Sequence, residues 1–366
     1  MLTHLFKGIA AVLTSALVIS CAPTETPGGD AETPSSHSTL YRIKAHTASL
    51  PDAGPMQVPI PTTAAEVAGP VPGNTMTKEY VQMAGRSAYL WGYAMVNSHN
   101  RRVAFSEAPE PCLVGGVLPF APVGYNAMLT NYIAPEQTFI ACPNQDVVYG
   151  GGFSALDKEP TVFQVPDFGD RFWVYALYDQ RTDQIAEIGK AYGTKPGFYM
   201  MVGPNWKGET PAGINAVVRS STGLVFAIPR IFKDDTAEDT KAVQPLVDQV
   251  VFYPLSKFDG KMKTKDWGKL PHVPAPSQKG KGETGWVQPE TYYEQLPVIM
   301  KEVPPLPGEE ALYAWIDSVW EAAAKDPATK EALVASFAAA DFLRAYWPEK
   351  AVLDGTWMPP KVEMVK

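Results

Sequence analysis

The chain has 366 residues, 45% of them hydrophobic and 19% charged, so it can bury a sizeable core and is too apolar for wholesale disorder. Its 31 Lys and Arg against 39 Asp and Glu leave a formal charge of −8, which argues against a broad basic face, and no nucleic-acid partner is expected. Three Cys and five His cannot assemble a four-cysteine or two-cysteine, two-histidine zinc site at normal spacings, so no metal site is assigned and the cofactor is unknown.

Residues 1–20 read as an export signal: Lys7 supplies the positive end, and Ile9 to Ile19 is an apolar run too short for a stable membrane span. The run ends in Val18-Ile19-Ser20-Cys21, which resembles a bacterial lipoprotein box. The resemblance implies acylation of Cys21 after cleavage before it, and a membrane partner reached through that lipid. A plain secretory signal or a core segment is the alternative. Ala22 at the next position, by the same resemblance, points to the periplasmic face of the outer membrane within the bacterial cell envelope. Residues 21–76 carry Pro23, Pro27, Pro34, Pro51, Pro55, Pro59, Pro61, Pro70 and Pro72 with interleaved Ser and Thr, and read as a disordered Pro-rich tether. Cys112 and Cys142 lie 30 residues apart. In an exported chain they are expected to form a disulfide, with loop closure contributing about 3.5 kcal/mol; two buried free thiols are the alternative.

The folded part opens with a helix. Thr77 can cap it, and Val81, Ala84, Ala88, Trp91, Met95 and His99 recur at helical spacing. Residues 104–143 hold many Pro and Gly and read as irregular connections. Short strands follow at 161–165, 171–178, 198–202, 216–219 and 224–228, separated by Pro-Asp and Gly-Pro turns. Residues 171–178 are apolar on both parities, which predicts a central strand. This pattern suggests an antiparallel sandwich, an α+β fold with an N-terminal packing helix and a C-terminal helical segment. A further helix is expected over 236–251. Residues 257–307 read as a Lys/Gly/Pro-rich loop, either a solvated connection or a site for a local anionic partner. The segment 308–366 carries helices over 309–325 and from Pro327, the second capped by Asp326.

Several pieces in order resemble the bacterial domain of unknown function 1254 family. They are Ala88-Tyr89-Leu90-Trp91-Gly92-Tyr93, Pro143-Asn144-Gln145-Asp146-Val147-Val148-Tyr149, Val165-Pro166-Asp167 with Gly169-Asp170-Arg171, Asp179-Gln180-Arg181-Thr182, Val202-Gly203-Pro204-Asn205-Trp206-Lys207-Gly208, and Arg219-Ser220-Ser221-Thr222-Gly223-Leu224-Val225. The resemblance implies an immunoglobulin-like β-sandwich over 77–256. Members of that family often carry a second domain of unknown function 1214, of which this sequence is not expected to hold a full copy. The resemblance brings no settled reaction with it.

The polar residues around the strands form the candidate site. Asp146, Tyr149, Arg171 and Asp179 are candidate catalytic groups: a carboxylate as base or ligand anchor, and a guanidinium for a carboxylate or developing anion. Tyr125, Asn144, Tyr178 and His99 are candidate ligand contacts. For each, a structural role in a turn, ion pair or core is the competing reading. Three functions stay open: an accessory protein binding a small polar-aromatic or anionic ligand between the sandwich loops and the first helix, an envelope hydrolase or lyase using the Asp/Tyr/Arg group, and an envelope scaffold.

Overall fold

The computed structural model describes residues 59–70, 74–135, 143–273 and 286–345. The chain divides between Val58 and Pro59. The export segment, Cys21, residues 21–58 and 71–73 of the expected tether and Cys142 fall outside the described residues, while residues 59–70 of that tether hold a short 3-10 helix over Ala64–Glu66.

Thr77 starts helix α1 (Lys78–Ser106) as its hydroxyl spacing requires: Oγ1 accepts the Tyr80 N–H at 3.2 Å. Val81, Ala84, Ala88 and Met95 are buried, while Trp91 and His99 of the same stripe are half-buried. Three short strands lie in the stretch read as irregular: β1 (Cys112–Val114), β2 (Leu118–Phe120) and β3 (Ala127–Met128). The main strands follow as β4 (Val147–Ala155), β5 (Thr161–Val165), β6 (Trp173–Asp179), β7 (Gly197–Val202), β8 (Ile214–Arg219) and β9 (Leu224–Phe232). Helix α2 (Ala237–Val247), capped by Thr236, leads to β10 (Phe252–Pro254) and β11 (His272–Val273).

The strands make two four-stranded sheets, ordered β3-β4-β9-β6 and β10-β5-β7-β8, and a small one, β11-β1-β2. Alternation sends Val148, Trp173, Tyr175, Leu177, Val225 and Ile231 of the first sheet into a core shared with Phe163, Val165, Tyr199, Met201 and Phe252 of the second. The architecture is α+β with mainly antiparallel pairing. It is not wholly antiparallel as expected: β7 pairs with β8 in parallel, and so does β1 with β11. Residues 203–213 are long enough to carry the chain back to the start of β7. Arg219 ties down the near end of that crossover by donating to the carbonyls of Gly203, Pro204 and Trp206 at 3.0–3.1 Å. A second correction concerns β6, which is the edge of its sheet rather than central. Its outer flank is covered by residues 183–189: Ile185 N–H donates to Leu177 O and Tyr175 N–H to Ile188 O, both at 2.9 Å. The cover accounts for the apolar character of both parities.

Helices α3 (Pro289–Glu302), α4 (Glu310–Lys325) and α5 (Pro327–Ala345) pack on α1 around Tyr89, Tyr292, Leu296, Ile316, Leu333 and Phe337. Asp326 caps α5, accepting from Thr329 N–H at 3.0 Å. Helix α3 falls inside the stretch read as loop. Pro297 hides it in the sequence, because Pro removes the N–H that would bond the Tyr293 carbonyl. The Trp320 indole N–H supplies that bond from α4 at 2.9 Å.

Candidate functional site

A cleft of ≈ 350 Å³ opens between the C-terminal half of α1 and the outward face of the β4-β9-β6 strands. Its floor follows from strand register. Phe153, Phe226 and Tyr178 are cross-strand neighbours on β4, β9 and β6. The Phe153 and Phe226 rings stack at 4.5 Å, and Ile228 extends the floor two residues along β9. Helical spacing turns Asn97, Ser98 and Arg101 of α1 to the same cleft. Phe105, one turn further on, fixes the helix to the floor with its ring 5.0 Å from that of Phe153.

The polar groups are held in place by neighbours. Asn97 Oδ1 accepts from Arg101 Nε at 2.8 Å, and the Arg101 guanidinium lies 5.5 Å from the Trp286 ring. Desolvation pulls the Arg101 pKa down to about 10. Asp179 is 3% exposed. Its Oδ1 accepts from Arg181 and Asp183 N–H at 2.8 and 3.0 Å, and its Oδ2 accepts from the Ser221 hydroxyl at 2.5 Å. Thr182, in that same turn, has φ 72°, a strained conformation for a β-branched residue. Beside the cleft, Arg181 donates to the Pro304 carbonyl and lies 3.5 Å from Glu309. Gln180 reaches both the Met95 carbonyl and Glu302. These contacts lock the Asp179 turn to the helical layer.

The structure sorts the expected site residues into separate places. Tyr178 and Asp179 line the cleft. His99 sits on the next face of α1, its Nδ1 paired with Glu302 at 2.8 Å; that bond holds the Glu302 carboxyl below its ordinary value. Arg171 lies beyond the far end of β6 and is bound by two prongs to Asp239. Tyr149 lies under the Arg230 guanidinium and accepts the Asn144 N–H at 2.9 Å. Asn144 and Asp146 are exposed, and Tyr125 packs against the cores. The four candidate catalytic groups therefore do not converge. Val147 pairs with Phe232 and Asp179 with Val225, seven residues apart on β9, a span of about 24 Å. Cys112 is buried with a free thiol, pushed up in pKa by burial, and its expected partner Cys142 is outside the described residues. Among the described residues no group of three His, Cys, Asp or Glu forms a metal cluster, and no helix is long and apolar enough to cross a membrane.

Asn97, Ser98, Arg101, Phe153, Phe226 and Ile228 were not among the site residues expected from the sequence. The signal was present: a polar i, i+1, i+4 set on α1 opposes alternate apolar residues of β9.

The segments quoted above from Asn144 to Val225 fall in one continuous stretch. A family model described as a protein of unknown function, DUF1254, matches residues 125–254. Residues 125–254 are similar to that family. The DUF1254 segment spans β3 to β10 and so contains the floor of the cleft, while the α1 wall and the helices α3 to α5 lie outside it. Among solved structures, the crystal structure of the VPA0106 protein from Vibrio parahaemolyticus is similar at 21% identity, covering 72% of this chain and 67% of that one with a TM-score of 0.39. No curated protein sequence matches the chain.

Proposed function

We propose that this chain is a cell-envelope lipoprotein that binds a small polar-aromatic or anionic ligand in the cleft between α1 and the β4-β9-β6 sheet. One observation carries the reading: a cleft of ≈ 350 Å³ has an apolar, aromatic floor and a wall holding Asn97, Ser98 and the half-buried cation Arg101. Its volume lies in the range of small-molecule sites, about 300–1,000 Å³, and its lining has the usual mix of apolar surface and a few placed polar groups. In this reading the two sheets sharing one core form a sandwich, and the DUF1254 segment presents its outward face to the ligand. The lipobox reading of Cys21 supplies the anchor, with the Pro-rich stretch as spacer. Binding is favoured over hydrolase or lyase chemistry because Asp146, Tyr149, Arg171 and Asp179 are divided between the two ends of a sheet.

The test is a metabolite pull-down with mass spectrometry, comparing the unaltered chain with Ile228→Trp, which fills the cleft floor. A ligand enriched by the first and lost from the second, with thermal unfolding unchanged, is the expected result. Enrichment that survives Ile228→Trp would place binding elsewhere.

A further inference from the structure

Arg230 stands apart from the other arginines tied into the sheets. Arg171 is paired with Asp239, Arg181 with Glu309, and Arg219 with three carbonyls. Among the described residues, Arg230 has no carboxylate partner, and its buried Nε, like that of Arg181, meets no acceptor. Its guanidinium rests on the Tyr149 ring, 5.6 Å from the centroid. Arg230 lies in β9, an interior strand, between Tyr149 of β4 and Val174 of β6. Burying a donor of a charged group without an acceptor is costly and uncommon, and a ring face is no substitute for a carboxylate acceptor.

Its position gives that cost a use. Arg230 is two residues beyond Ile228 and on the same face of β9, so it stands about 7 Å past the cleft floor and about 14 Å from Phe226. Between them the face is apolar: Ile228 on β9 and Ala176 on β6 are cross-strand neighbours. The geometry points to Arg230 as the anion-reading residue of an elongated ligand, an aryl or alkyl carboxylate whose apolar body lies on Ile228 and reaches the Phe153/Phe226 stack. This inference rests on the cleft reading above and adds the ligand's charge, shape and orientation. A guanidinium presents paired N–H donors to a carboxylate, and Tyr149 holds it in place.

The experiment measures binding of two probes of equal shape, phenylbutyrate and its uncharged amide, to the full chain, to Arg230→Gln and to Arg230→Lys, with thermal unfolding to verify each fold. The carboxylate is expected to bind the unaltered chain on the order of tenfold or more tighter than the amide. Arg230→Gln brings that ratio close to one and leaves the amide unchanged. Arg230→Lys keeps part of the preference and restores its salt dependence. Equal binding of both probes to the unaltered chain, a preference that persists in Arg230→Gln, or no binding of either probe would overturn the assignment. The pull-down with Ile228→Trp judges the cleft separately: a neutral ligand captured there sustains that reading while this one fails.

Discussion

Arg171 and Asp239 hold one another by two parallel hydrogen bonds, Nη1 to Oδ2 at 2.8 Å and Nη2 to Oδ1 at 2.5 Å. The pair fastens the entry to β6 onto the first turn of α2, and Asp234 N–H adds a third donor to the same carboxylate at 2.7 Å. The hydrogen bonds from Arg171 hold the Asp239 carboxyl down to about 2, below its ordinary 3.8. Since the folded value is the lower, the stabilisation is fully present above about pH 4 and is lost as pH falls toward 2. Asp239→Asn is expected to cost about 1–2 kcal/mol at neutral pH, after allowing for solvent screening of a partly exposed pair. Urea unfolding from pH 7 down to pH 2 checks it; a gap that does not close in acid would refute the assignment.

Asp179 is a second, more deeply buried carboxylate, and its acceptors are spent on two backbone N–H groups and the Ser221 hydroxyl. Asp179→Ala leaves those donors without acceptors and takes from Arg181 one of its two nearby carboxylates, Glu309 remaining, at a cost of about 2–4 kcal/mol. A urea midpoint within error of the unaltered chain would show that the turn is held by other means.

Gly92 lets α3 approach α1. A Cβ there would lie 2.3 Å from the Tyr292 hydroxyl and 2.7 Å from Leu296 Cδ1, and that hydroxyl donates to the Ala88 carbonyl at 2.8 Å. Helix propensity alone would make Gly92→Ala stabilising by about 1 kcal/mol. The expected outcome is the reverse, a net loss of about 1–3 kcal/mol from overpacking, read as a lower melting temperature.

Arg101 is a half-buried charge beside the cleft, with its pKa lowered to about 10 by desolvation. The folding cost is present in full below about pH 10 and shrinks as pH rises above it. Arg101→Met removes the donor that Asn97 accepts and the cation beside the cleft, and is expected to weaken ligand capture in a chain that still folds. Capture that stays intact would remove Arg101 from the site.

Cys21→Ser tests the anchor. Loss of acyl-chain mass from the mature N-terminus, together with release from the membrane fraction, is the expected result. Unaltered membrane association would exclude the lipobox.

Much of the fold was legible because its signals are local. Thr77 and Asp326 announce helix starts through one hydroxyl and one carboxylate, and β5 is bounded by the residues its pattern marks. Helix α3 was not legible, since its repair comes from Trp320, 27 residues away. The site was legible in part. Tyr178 and Asp179 were read as site residues from neighbouring positions in the chain. Grouping them with Arg171 mistook closeness in sequence for closeness in space: an extended strand carries its two ends apart, here by the length of β6. Phe226, Ile228 and Arg230 escaped notice because alternation does not reveal which face of a sheet a distant helix leaves open.

The indole of Trp320 completes what Pro297 interrupts, so α3 depends on a neighbour to close its own backbone ladder. A helix built this way gains its last bond only when α4 has docked. The two should therefore melt and reform together, and amide exchange in residues 289–302 should follow the opening of α4 rather than fraying independently.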